Sequence, residues 1–163
     1  MKSPILLYDG YCVLCNFFVK LILRFEKKPE IYFAPLDSKI AQEIISQFRF
    51  EPNMDSIIYF DGKECFTYHF AAFEILKQLS FPINLFVAFK WLPNSFNKAM
   101  YKFIAKKRYR LFGKYESCPM PDAKYRERML DADTDATREF WILMQTRDYD
   151  EPGKFHYRIL NLA

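Results

Sequence analysis

A chain of 163 residues that is 51% hydrophobic and 27% charged can bury one core, which excludes a disordered chain. The net charge of +4 allows an anionic partner without announcing one, and an aromatic share of 19% is more than one small core readily holds, so some rings are expected to cover surface or meet a partner. No stretch reaches the roughly 18 uninterrupted apolar residues of a spanning helix, and the apolar run after Lys2 is too short for an export signal.

Ile5-Leu6-Leu7-Tyr8 reads as a first strand and Asp9-Gly10 as a tight turn. From Val13 to Lys27 the period is helical, with Asn16, Lys20, Arg24 and Lys27 on one face and apolar residues on nearly all the others. That pattern puts Cys15 on the inward face with Phe18, Ile22 and Phe25, and leaves Cys12 at the first turn, open to solvent. Ile31 to Ala34 is a second strand closed by Pro35, and Ser38 to Phe48 a second helix. Ser56 to Phe60 and Lys63 to Thr67 form a hairpin across Asp61-Gly62. Tyr68 to Leu79 is a third helix. This order, βαβ and then ββα, is thioredoxin-like: an α/β fold with a four-stranded mixed sheet and flanking helices.

Beyond Leu79 the chain reads as a helical C-terminal extension punctuated by Pro82 and Pro93. Asn94 to Tyr109 is its main helix, with Phe96, Met100, Phe103 and Ile104 on one side and Lys98, Lys102 and Lys106 on the other. Residues 1–121 are taken as one domain that includes this extension. Residues 122–163 are a tail of unassigned role, expected to pack on the same domain. Within it, Thr134 to Arg147 allows a helix and Phe155 to Leu162 a last strand.

The chemistry is concentrated in Tyr8-Asp9-Gly10-Tyr11-Cys12-Val13-Leu14-Cys15-Asn16. In the cytoplasm, the expected compartment, four cysteines point to a reactive or metal-binding set, not a disulfide framework. A Cys-x-x-Cys pair at a strand-to-helix junction suits dithiol redox work, because a helix N-terminus stabilises a thiolate and two intervening residues let the second thiol resolve a mixed disulfide. Cys12 is therefore assigned as nucleophile and Cys15 as resolving thiol, with Asp9 as proton acceptor for Cys15 or simply as the turn that caps the helix. Two other readings use the same residues. One is a structural zinc site built from Cys12, Cys15, Cys65 and His69. The other is a non-catalytic module that binds a partner through its aromatic and basic C-terminal half. The expected assignment carries no cofactor and no metal.

The Asp9-Gly10-x-Cys12-x-x-Cys15 run resembles the signature of the DCC family of predicted thiol-disulfide oxidoreductases. Further matches keep their order: Ile57 to Cys65, Ala71-Ala72-Phe73-Glu74-Ile75-Leu76, Arg108-Tyr109-Arg110-Leu111-Phe112-Gly113-Lys114 and Cys118. The resemblance spans roughly residues 4–121 and implies a thioredoxin-like fold and dithiol chemistry on a protein or low-molecular-weight disulfide or thiol. The chain departs from the pattern at His69, where members often carry Ser, a helix-start residue or a proton-transfer group. It also lacks the proline that thioredoxins place before the third strand, where Met54-Asp55-Ser56 stands.

Residues Lys98 to Lys114 hold seven Lys or Arg... and no acid, reading first as a solvated helix face. A sharper reading sets Tyr11, Arg108, Arg110 and Lys114 beside the redox helix as substrate-binding residues. Peripheral contact with an anionic membrane ranks behind both, and nucleic-acid binding has no supporting motif. Cys118 is expected to be a buried structural thiol, with a resolving role as the lesser option.

Overall fold

The computed structural model describes residues 4–47, 56–61, 64–119 and 122–130. Strands β1 (Ile5–Tyr8), β2 (Tyr32–Pro35), β3 (Ile58–Phe60) and β4 (Cys65–Thr67) form one sheet in the order β2-β1-β3-β4. β1 runs parallel to β2 and antiparallel to β3, and β3 is antiparallel to β4. This is the mixed, thioredoxin-like sheet that the element order predicts. The turn expected at Asp61-Gly62 and the tail elements between Thr134 and Leu162 lie outside the described residues.

β1 is the central strand because both of its faces are apolar. Leu6 and Tyr8 point to one side, into a core with Val19, Ile22, Phe33, Tyr59 and Ile75. Ile5 and Leu7 point to the other, among Ile40, Ile44, Ile58 and Phe60. Strand alternation thus assigns α1 (Val13–Phe25) and α3 (Tyr68–Gln78) to the first layer and α2 (Lys39–Gln47) to the second. Pro35 ends β2 at an outer edge of the sheet, where its missing N–H costs no ladder bond. Beyond a 3-10 turn at Ala123–Arg128, Met129 pairs with Phe33 on that same edge, and Leu130 is buried in the α2 layer.

After α3 come a 3-10 helix, Ile83–Trp91, and α4 (Asn94–Phe112). Three residues per turn bring positions three apart into line, and Phe86 stacks on Phe89 with centroids 6.0 Å apart and planes 12° from parallel. Nothing in Ile83–Trp91 is buried. α4 stops at Gly113, whose φ of 89° with ψ of 175° is an extended, positive-φ conformation open essentially to glycine alone.

The inward face of α4 is its polar one. Its buried residues are Asn97 and Arg108, with Tyr101 half-buried between them, while Phe96, Met100, Phe103, Ile104 and Leu111 are exposed. Asn97 donates to the carbonyls of Phe89 and Leu92 at 3.1 and 3.3 Å, the Tyr101 hydroxyl accepts the Ile57 N–H, and Arg108 reaches Asp9. Polar work selects the inward face.

Candidate dithiol site

The backbone of Asp9 turns the chain out of β1, its carbonyl accepting the Cys12 N–H at 3.3 Å and its Oδ1 the Tyr11 N–H at 3.0 Å. Cys12 is then the extended N-cap of α1, and its Sγ accepts the Cys15 N–H at 3.2 Å. Sulfur here takes the place that a Ser or Asp oxygen usually fills, facing unpaired amides and the positive end of the helix dipole. A hydrogen bond from the Cys15 thiol is the largest influence on Cys12. Burial opposes it, the Cys15 N–H and the Arg108 charge reinforce it, and the Cys12 pKa is lowered to about 7. Cys15 moves the other way: hydrogen bonding to Cys12 and then burial hold its proton on. One thiol is prepared to ionise and the other to remain neutral.

Two expectations about exposure are corrected. Cys12 is 0% exposed, whereas Cys15 is only partly buried. The cover is the strap that follows α4. Lys114 bridges antiparallel to Cys12, and the Tyr115 N–H meets the Tyr11 carbonyl at 2.8 Å. A Cβ on Gly10 would lie 2.6 Å from the Cys118 Sγ, so the strap fits here only because residue 10 has no side chain. On α1, Phe18 is exposed and Asn16 is buried, the reverse of the sequence reading. Asn16 Nδ2 donates to the carbonyls of Gly10 at 2.6 Å and Cys12 at 3.0 Å, satisfying the loop that carries Cys12.

Asp9 and Arg108 form a buried ion pair. Arg108 Nη2 donates to Asp9 Oδ2 at 2.8 Å, and the Tyr109 hydroxyl donates to the same oxygen. Arg108 therefore points inward to Asp9 instead of presenting its guanidinium to solvent. Lys114 Nζ lies over the rings of Tyr11 and Tyr109, 5.4 and 5.7 Å from their centroids, and Arg110 is exposed. The Tyr11 hydroxyl meets Asp37, whose hydrogen bond and charge raise its pKa.

Asn16, Tyr109, Ser56 and Tyr101 were given no site role by the sequence reading. The Tyr101 hydroxyl receives the Ile57 N–H at 3.2 Å and lies 3.3 Å from Ser56 Oγ, which accepts the Tyr68 N–H at 2.9 Å. Burial raises the Tyr101 pKa, and the charges of Cys15 and Arg108 also act on it. Ser56 therefore organises the approach to β3 where a proline was noted as missing. The only signal in the sequence for Tyr101 was its polar spacing with Asn97 and Arg108.

His69 is buried, with Nε2 2.6 Å from Asn94 Oδ1 and its ring against Phe70, and burial lowers its pKa. It fastens the start of α3 to the start of α4. Among the described residues no three His, Cys, Asp or Glu side chains converge, so Cys12, Cys15, Cys65 and His69 do not form a zinc site. Cys65 packs against the α2-side core, where burial pushes its thiol pKa up.

The family model described as DCC1-like thiol-disulfide oxidoreductase matches residues 6–114. An uncharacterized Bacillus subtilis protein, YuxK, is 32% identical over 131 residues, covering 80% of this chain and 96% of the relative. A DCC family protein of Arabidopsis thaliana, described as chloroplastic, is 26% identical over 121 residues, covering 73% of this chain and 70% of that one. No solved structure matches.

Proposed function

The chain belongs to the DCC1-like thiol-disulfide oxidoreductase family, and from that premise we propose that it exchanges its own dithiol for a disulfide in a protein or low-molecular-weight substrate. The observation that carries this reading is the Cys12 sulfur held as the N-cap of α1. Cys12 thiolate attacks one sulfur of the substrate disulfide, forming a mixed disulfide and releasing the first substrate thiolate. Cys15 then gives up its proton and attacks Cys12, closing the Cys12–Cys15 disulfide and releasing the second thiolate. The substrate gains the two electrons that the protein loses, and the reaction reverses with a suitable dithiol.

Asp9 is the carboxylate whose charge acts on both thiols. It receives the Cys15 proton, directly or through water, after exchanging one of its three donors. Arg108 is a positioning residue: it holds Asp9 and favours the thiolate of Cys12. Tyr11 and Lys114 line the strap side of the nucleophile, so substrate enters by displacing that strap. Arg110 is the outlying cation of the proposed binding set. A reducing compartment such as the cytoplasm suits a resting dithiol.

Reduction of insulin disulfides tests the reading. Cys12→Ser should abolish it, and Cys15→Ser should accumulate mixed disulfides visible by mass spectrometry. Wild-type protein that cannot cycle between dithiol and disulfide at any accessible potential would sink it.

A further inference from the structure

From Ile75 to Tyr115 the chain carries nine Lys or Arg and none of its 20 acids. Every residue of that stretch is described, and it holds most of the exposed large apolar side chains. Trp91 is 94% exposed, and Phe86, Phe89, Phe96, Phe103 and Leu111 are open on the 3-10 helix and α4. Lys107 Nζ sits 4.5 Å from the centroid of the Phe103 ring, a cation set within the apolar stripe, and Lys98, Lys102 and Lys106 form a row on the other side of α4. The dithiol chemistry uses none of these side chains.

We propose that this face docks on an anionic lipid bilayer, its aromatic residues entering the headgroup boundary and its lysines meeting lipid phosphates. Aromatic and aliphatic groups on one side and lysines on the other are the make-up of a helix lying in the membrane interface. Tryptophan favours that depth, where its ring is half in hydrocarbon and its N–H meets water. No helix among the described residues is long and apolar enough to cross a membrane, so the contact is a surface one. A second copy on this face would set two acid-free basic surfaces against each other. The segment after Leu130 has acids of its own, but Leu130 is packed in the α2 layer, across the sheet from α1 and α3, against which α4 packs.

The full chain carrying Trp141→Phe leaves Trp91 as the only tryptophan. Its emission is followed with vesicles of phosphatidylcholine and with vesicles of phosphatidylcholine and phosphatidylglycerol in a two-to-one ratio. The expected result is a blue shift, with quenching by brominated acyl chains, on the anionic vesicles alone, weakening as salt is raised. Lys98→Gln, Lys102→Gln and Lys106→Gln should each lower partition about fivefold. Phe103→Ser should lower it about tenfold with an unchanged melting temperature.

No shift on anionic vesicles, or an equal shift on both kinds, overturns the proposal. So does a free protein whose Trp91 is already blue-shifted and shielded from acrylamide, which would mean that its own tail or a second copy covers the face. Sedimentation velocity separates those two. Saturable binding of an acidic protein partner without vesicle binding would also overturn it. Retained disulfide reduction with lost vesicle binding separates this inference from the enzymatic one.

Discussion

The sheet half of the molecule and the α4 half follow opposite rules of burial. Around β1, side chains such as Phe33, Ile44 and Ile58 are fully buried, and apolar surface removed from water holds the layers together. Along α4 the inward stripe is Asn97, Tyr101 and Arg108, and the phenylalanines face out. The first half uses its apolar residues for stability. The second spends its inward positions on hydrogen bonds, that of Arg108 reaching Asp9 beside the dithiol, and leaves its apolar residues exposed. Hydrophobic content alone therefore misstates where this protein is stable.

Phe33→Ala should widen the contrast most, costing about 3–5 kcal/mol of unfolding free energy in urea titrations because its cavity cannot collapse between two packed layers. Arg108→Met tests whether polar burial in α4 is comparably demanding. It leaves the Asp9 carboxylate without its cation and should cost about 3–5 kcal/mol, much of it recovered in the Arg108→Met/Asp9→Leu double variant. Arg108→Met alone should change reactivity. Wild-type alkylation of Cys12 by iodoacetamide should rise through a midpoint of about pH 7, since only the thiolate reacts, and removing the Arg108 cation should move that midpoint upward.

Gly10→Ala drives a methyl into Cys118 and should cost about 1–3 kcal/mol, with part restored when Cys118→Ala removes the sulfur. A double-mutant cycle by thermal unfolding reads that coupling. Phe103→Ser completes the comparison with Phe33: 56% exposed, it should change stability by no more than about 0.5 kcal/mol. A large loss there would mean that the outer face of α4 is packed after all.

The sheet was legible because strands declare their faces: Ile5 and Leu7 alternate with Leu6 and Tyr8, and two apolar faces require a central strand. The Cys12–Cys15 junction was equally legible, since strand, turn and helix follow one another within the motif. The facing of α4 was not. Helical periodicity says which residues share a side, but Asn97, Tyr101 and Arg108 are as regularly spaced as Phe96, Met100 and Phe103. Only the partners elsewhere, Asp9 and the Phe89 and Leu92 carbonyls, decide between them. Asn16 misled for a related reason. It falls in line with Lys20 and Arg24, yet two loop carbonyls require its amide. The exposure of Cys12 depended on a strap about a hundred residues away, which no local pattern reports.

If Cys12 and Cys15 exchange as proposed, the sulfur that caps α1 also sets the poise of that couple. While Cys12 is a thiolate, the amide of Cys15 and the positive end of the helix hold it; once it is bonded to Cys15, that negative charge is gone. Whatever free energy the helix end gives to the anion is withheld from the disulfide. By linkage, a lower Cys12 pKa displaces the couple toward the oxidising side, and part of the driving force for electron transfer resides in a helix terminus and not in the sulfur–sulfur bond.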